Sequence, residues 1–356
     1  MTAMTSQRAY NGYLQTQFNG SDIKSLFQRY EEIGFLYPAK KKILAPHLDV
    51  ISNNWSALQK SDEELLWIFT STAREQRDFA SVCAWKYNNY GLQAQHLVSN
   101  GNPLLSLKIM MASQYKAEHL CTAREVRSSQ NWFRPENRYA FRVFASMYRT
   151  LGPDRAFLKK FRYVQLGLGA ITKPEKKRYI IREIDGVNLE LIRFVNQTYG
   201  KVYCQAEELD QRDIQLHRLN NIYQKYGLER SRKVFLVKCQ DNQKVVACAI
   251  ANKAPLGLNF SFLENRLVYI IDESLDANAR KGLLMELNHE MSHSYQSFPL
   301  GVLPIVTDEI TGDILINQGA AHFKDYMQSI WLREGFSQWF DHIKSFYDRI
   351  KGRVRQ

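Results

Sequence analysis

The chain has 356 residues, 45% of them apolar and 12% aromatic, and a net charge of +12. It is too long for one ordinary domain and has apolar material for two buried cores, which argues against a disordered chain. No apolar run approaches the roughly 20 residues of a membrane span, the first twenty residues carry no apolar signal segment, and five scattered cysteines without a CxxC pair speak against a disulfide framework or a cysteine zinc knuckle. The expected location is therefore a reducing cytoplasm, and the charge suits either a solvated surface or an anionic partner.

In chain order, residues 1–20 read as a loose arm. Ser21–Gly34 has a Ser cap and helical apolar spacing, and Ile43–Gln59 offers a second helix. Three strand-like runs follow: Leu65–Thr70, Ala80–Tyr87 and Gln93–Val98. A polar stretch, Ser99–Pro103, precedes a helix over Leu104–His119, the short strand SSQNWF and an amphipathic helix within Arg134–Gly152. The charged segment 153–177 reads as a linker. Beyond it, Leu189–Tyr199 and Ile214–Tyr226 read as helices, and Lys233–Cys239 with Val245–Asn252 as a hairpin. A strand at Arg266–Ile271, a helix at Asp276–Tyr295, a strand at Val302–Thr307 and one or two closing helices over Asp325–Tyr347 complete the chain. The same order of elements occurs twice without visible identity between the copies. Two domains are expected, at 21–152 and 178–350.

That order, with Asn137, Ala140, Phe144 and Gly152 along Arg134–Gly152, resembles the acyl-CoA N-acyltransferase (GNAT) fold. Asn anchors the strand-to-helix turn, Ala permits close packing, and Gly ends the helix. The resemblance implies an α/β fold of two tandem GNAT-like domains, each a mixed, mostly antiparallel sheet flanked by helices. A working acetyltransferase holds the CoA pyrophosphate on bare N–H groups of a glycine-rich loop. The first half has Ser99-Asn100-Gly101-Asn102-Pro103 there, and the second has Asp272-Glu273-Ser274-Leu275-Asp276, whose carboxylates oppose an anion. Acyl transfer is therefore the disfavoured alternative.

Ala254–Asn265 together with Phe133–Phe144 resembles tandem GNAT-fold proteins without clear catalytic residues, of which cyanobacterial relatives act as cyclic di-GMP receptors. This resemblance implies a non-catalytic receptor that needs no cofactor, forms a homodimer and signals to a regulatory protein such as a transcription factor. No membrane partner is expected, and direct nucleic-acid binding stays open. Arg134, Arg138 and Arg142 follow one another at helical spacing beside Trp132, and Arg178 and Arg182 form a second pair. Guanidinium forks of this kind suit phosphate and guanine. The expected ligand contacts are Arg134, Arg138, Trp132, Arg178 and Arg182, against the plain alternative of solvated helix faces.

A competing constellation is the HExxH of His289-Glu290-Met291-Ser292-His293. On a helix its histidines share one face and could bind zinc, with Glu290 activating the bound water. Downstream, Trp331–Phe336 resembles the WLxEGF segment of gluzincin peptidases, which makes Glu334 the third ligand. A zinc peptidase is thus an alternative to the cofactor-free receptor.

Overall fold

The computed structural model describes residues 14–18, 20, 22–61, 65–73, 79–100, 106, 108–109, 111 and 126–354. The first half runs β1 (Leu14–Phe18), α1 (Ile23–Glu32), α2 (Pro38–Leu44), α3 (Leu48–Gln59), β2 (Leu66–Ala73), β3 (Phe79–Lys86), β4 (Gly91–Ser99), β5 (Ser128–Phe133), α4 (Arg138–Leu151) and β6 (Ala156–Gly167). The second runs β7 (Tyr179–Ile184), α5 (Leu189–Thr198), α6 (Lys201–Ala206), α7 (His217–Gln224), β8 (Ser231–Cys239), β9 (Val245–Lys253), β10 (Leu267–Ile271), α8 (Ala277–Tyr295), β11 (Val302–Thr307), α9 (Glu309–Asn317), β12 (Ala321–Leu332) and α10 (Phe336–Val354). This is the expected α/β class, a mixed, mostly antiparallel sheet flanked by helices. The helix expected over Leu104–His119 lies largely outside the described residues.

Contacts gather the described residues into two compact units that do not follow the halves. One takes those of 1–85, 94–125 and 336–356, the other those of 86–93 and 126–335. In the first unit the strand order is β1-β2-β3-β4, with β1/β2 and β2/β3 antiparallel. Asp22 caps α1 through Ser25 N at 2.9 Å; Ser21, the expected cap, lies outside the described residues. His96 is buried at φ +56 between Trp55 (ring centroids 5.4 Å apart) and Trp85 (5.8 Å). Burial drives its pKa well down, with help from Lys40, so it packs as a neutral ring.

The second unit carries the order β4-β5-β12-β6-β11-β10-β9-β8-β7, in which only Gly91–Gln93 of β4 pair with β5. Here the two halves exchange strands. β12, the last strand of the second half, pairs with β5 of the first, and β6 of the first half lies between β12 and β11 of the second. The segment expected as a linker, 153–177, therefore contains a central strand, and the helical reading of Asp325–Tyr347 fails up to Leu332. Both strands hid because their faces carry charge. Lys160 and Arg162 of β6 are met by Glu309 and Asp313 of α9 and by Asp325 of β12, with Lys160 Nζ–Glu309 at 2.6 Å and Arg162 Nε–Asp325 at 3.3 Å. One face of the sheet buries Phe157, Phe161, Tyr163, Val268, Val306 and Ile330 beneath Leu191, Phe194, Tyr199 and Tyr203 of the α5–α6 region.

Within that apolar layer lies an ionic knot. Arg230 and Glu264, each with a side chain 1% exposed, meet at 3.0 Å. Glu207 accepts from Arg266 at 3.2 Å and lies 3.9 Å from Arg232. Gln93 donates to Glu264, and Gln328 donates to Glu207 at 3.4 Å. Arg230 Nε also donates to Tyr87 O at 2.7 Å, and Tyr87 OH to Ala206 O at 2.6 Å. The knot thus fastens the Tyr87–Gly91 turn to the second half. Deleting one member of such a pair strands a buried charge, at a cost of about 3–5 kcal/mol.

Two outcomes follow. Residues 175–178 are exposed, so trypsin should cut there in the native protein. The fragments should co-elute on gel filtration and separate only in denaturant; separate native elution would contradict the exchange. Glu208 is the second test. Burial raises its pKa to about 7, against the lowering influence of Arg232 and the N–H groups of Tyr90 and Asn89. A raised carboxyl pKa contributes stability that is complete below the unfolded value and lost as pH rises through about 7. Glu208→Gln should therefore gain on wild type between pH 5 and 8, on the order of 1–3 kcal/mol in denaturant melts; parallel pH profiles would refute the assignment.

Candidate functional site

Two places in the second unit carry chemistry. The first is the opening between β10 and β11, which run parallel but pair only through Leu267↔Ile305 and Val268↔Val306. The loops at their C-terminal ends hold Asp272, Glu273, Asp276 and Asp308. Asp276 caps α8 through Ala279 N (2.8 Å), and Asp308 caps α9 through Thr311 N (2.9 Å) and Thr311 Oγ1 (2.7 Å). Buried Arg280 donates to Thr311 Oγ1 at 2.8 Å and to Asp272 O at 3.2 Å, and lies 3.4 Å from Asp308. Burial works to raise the Asp272 pKa, but hydrogen bonds from Lys244 and Ser274 outweigh it and the net shift is downward. Donors that could cradle a pyrophosphate are thus already held by the chain's own carboxylates.

Deeper in the same opening, the half-buried Lys159 of β6 sits 4.1 Å from the ring centroid of Tyr199. Burial lowers its pKa, while Glu273 and Asp308 pull it upward. The Tyr199 hydroxyl is buried without a hydrogen-bond partner among the described residues, and burial, reinforced by Asp308 and Glu273, raises its pKa well above the ordinary value.

The second place is where β4 and β5 begin. The turn Tyr87–Gly91 closes through Tyr87 N to Gly91 O at 3.3 Å. A Cβ on Gly91 would stand 2.3 Å from Asn88 Oδ1, so only glycine fits. Glu208 receives Asn89 N (3.2 Å) and Tyr90 N (2.6 Å), and Arg127 N donates to Tyr90 O at 2.7 Å. These bonds hold Tyr90 half-exposed at the rim. The guanidinium carbon of Arg127 lies 4.1 Å over its ring, and Arg218 reaches its hydroxyl at 3.4 Å. Both arginines are exposed. Asp213 accepts from the N–H groups of His217 (2.7 Å) and Arg218 (2.9 Å), which fixes the start of α7 and the base of Arg218. An aromatic ring between two guanidinium groups can stack a base on one and bind phosphate on the other.

The expected contact residues do not assemble. Arg134, Arg138 and Arg142 are exposed around the start of α4, with Arg134 3.5 Å from Glu136. Trp132 is 5% exposed and turned into the core, its ring 5.1 Å from the Arg266 guanidinium, so it cannot stack a surface ligand beside those arginines. Arg178 lies just before β7 and Arg182 within it, seven strand positions along the sheet from β5. The exchanged strands β12 and β6 are part of what separates the two sets. The HExxH does fall on a helix, α8, with the rings of His289 and His293 5.4 Å apart. Glu334, however, follows β12, and no group of three His, Cys, Asp or Glu suited to a metal exists among the described residues. His289, His293 and Glu334 thus do not stand together as a three-ligand group among the described residues. Sequence reading missed Lys159, Tyr199, Tyr90, Arg127 and Arg218; the NNYG turn was the one local signal, and the rest meet only through tertiary pairing, Arg127 with Tyr90 through β4 and β5. Gly101–Pro103 of the first half's loop lie outside the described residues.

No family model matches the chain, and no curated protein matches it. Among solved structures, it is similar to a Drosophila protein at 10% identity, covering 91% of this chain and 99% of that one, with a TM-score of 0.42. A tandem GNAT protein from the clavulanic acid biosynthesis pathway is 10% identical, with 90% and 99% covered and a TM-score of 0.38. A GCN5-related N-acetyltransferase from Sphaerobacter thermophilus is 12% identical, with 75% and 80% covered and a TM-score of 0.35. At such values the weight rests on the chain's own strand order and on the two rims described above.

Proposed function

We propose that this doubled GNAT-like chain is a non-catalytic receptor for a nucleotide-class anion, with cyclic di-GMP as the ligand to test. The observation that carries the reading is the Arg127–Tyr90–Arg218 cluster, one exposed guanidinium over the ring and one at its hydroxyl, on main chain held by hydrogen bonds. The net charge of +12 supports it by drawing anions to the surface. The opening between β10 and β11 supports the absence of turnover, because Asp276 and Asp308 already occupy the helix starts there. A twofold-symmetric ligand fits a pair of chains, each offering one stack, with a regulatory protein reading the paired state. Acyl transfer is the second reading, favoured only by Lys159 beside the Tyr199 ring.

Two titrations separate these. Acetyl-CoA should bind no tighter than the millimolar range, about −4 kcal/mol; micromolar binding would restore the acyltransferase. Cyclic di-GMP should bind saturably at physiological salt, and Arg127→Ala or Arg218→Ala should each weaken it about 10- to 150-fold. No saturable binding ends the receptor reading. A loss confined to Arg178→Ala and Arg182→Ala would move the site to β7.

A further inference from the structure

A cleft of about 130 Å³ lies apart from both rims, between Lys253 at the end of β9, Asn265 just before β10, Glu229 before β8, and the last turn of α8 with the residues after it. This space is close to the ~150 Å³ that takes a benzene ring and is open at its mouth, so it suits a small organic ligand. Asn265 is 5% exposed. Its Oδ1 accepts from Ala254 N at 3.0 Å, which fixes the orientation of the amide. Its Nδ2, with two N–H groups, has no partner among the described residues. A buried donor left without an acceptor costs about 1–3 kcal/mol in a folded protein. Asn265 lines the cleft, so its unpartnered amide is a standing preference for an acceptor from outside the chain.

The remaining lining says which acceptor. The Lys253 ammonium and the Ser294 hydroxyl add donors, which together with Asn265 suit a carboxylate. Glu229, already taking Ser231 Oγ at 2.7 Å and 4.0 Å from Lys253, offers a negative group within the same space. The C-terminal turn of α8 adds the partial negative charge of a helix end, which favours a cation. Leu256 and Phe298 supply an apolar wall. We infer that this cleft binds a small zwitterion of the free amino-acid class, its carboxylate on Asn265 and Lys253, its ammonium toward Glu229, and an apolar side chain against Leu256 and Phe298.

Isothermal titration of the intact chain with L-leucine tests this. Saturable one-site binding is expected. Asn265→Asp keeps the acceptor for Ala254 N but replaces the free amide donors with a repelling oxygen, and should weaken binding about 10- to 100-fold. Lys253→Met, at a more exposed position, should weaken it about tenfold, with thermal melts confirming that both variants fold. 3-Methylbutylamine, without the carboxylate, and 4-methylpentanoate, without the ammonium, should each bind about tenfold more weakly than L-leucine. Absence of saturation with L-leucine overturns the inference. So does unchanged affinity in both variants, or an amine that binds as well as the amino acid.

Discussion

The ladder β5-β12-β6-β11 is the constraint on which the rest of the second unit depends. Each hydrogen bond in such a ladder contributes about 1 kcal/mol net, but its geometric consequence is larger. The last strand of each half completes the other half's sheet, so neither half can finish its core alone. Loop closure over so many residues is slow to form and, once formed, opens cooperatively. Lys159, Lys160 and Arg162 can sit in a central strand because α9 and β12 bring carboxylates to two of them and the Tyr199 ring receives the third.

The two functional rims inherit their character from that ladder. At the C-terminal ends of β10 and β11 the sheet opens, yet the helix starts there are filled by Asp276 and Asp308. Where β4 begins, the ionic knot of Arg230, Glu264, Arg266 and Glu207 draws the Tyr87–Gly91 turn onto the second half. Burying that much charge contributes little to net stability when compared with an apolar core. What it does fix is position: Glu208 and Arg127 hold the backbone of Tyr90, and the exposed stack stands on that fixed base.

The order of elements was legible in the sequence because β2, β3, β8, β9, β10 and β11 are short, largely apolar runs and α4 and α8 have clear caps at Asn137 and Asp276. β6 and β12 were not legible, since a strand that carries Lys159, Lys160 and Arg162 imitates a charged linker until its partners are known. The same gap undid the reading of the site. Arg134 and Arg138 looked joinable to Arg178 and Arg182 because nothing in the spacing revealed seven strands of separation. His289 and His293 met the helical spacing of a zinc motif, but Glu334 depends on where β12 runs. Tyr90, Arg127 and Arg218 come from three distant segments and no local pattern links them.

Hydrogen exchange on the intact protein tests the exchanged ladder most directly. Amides of 156–167 and 321–332 should be among the slowest to exchange and should open together, as expected for paired central strands. Exchange of 156–167 as fast as that of the exposed 172–177 would mean that the segment is a linker after all, and the account of both rims would fall with it.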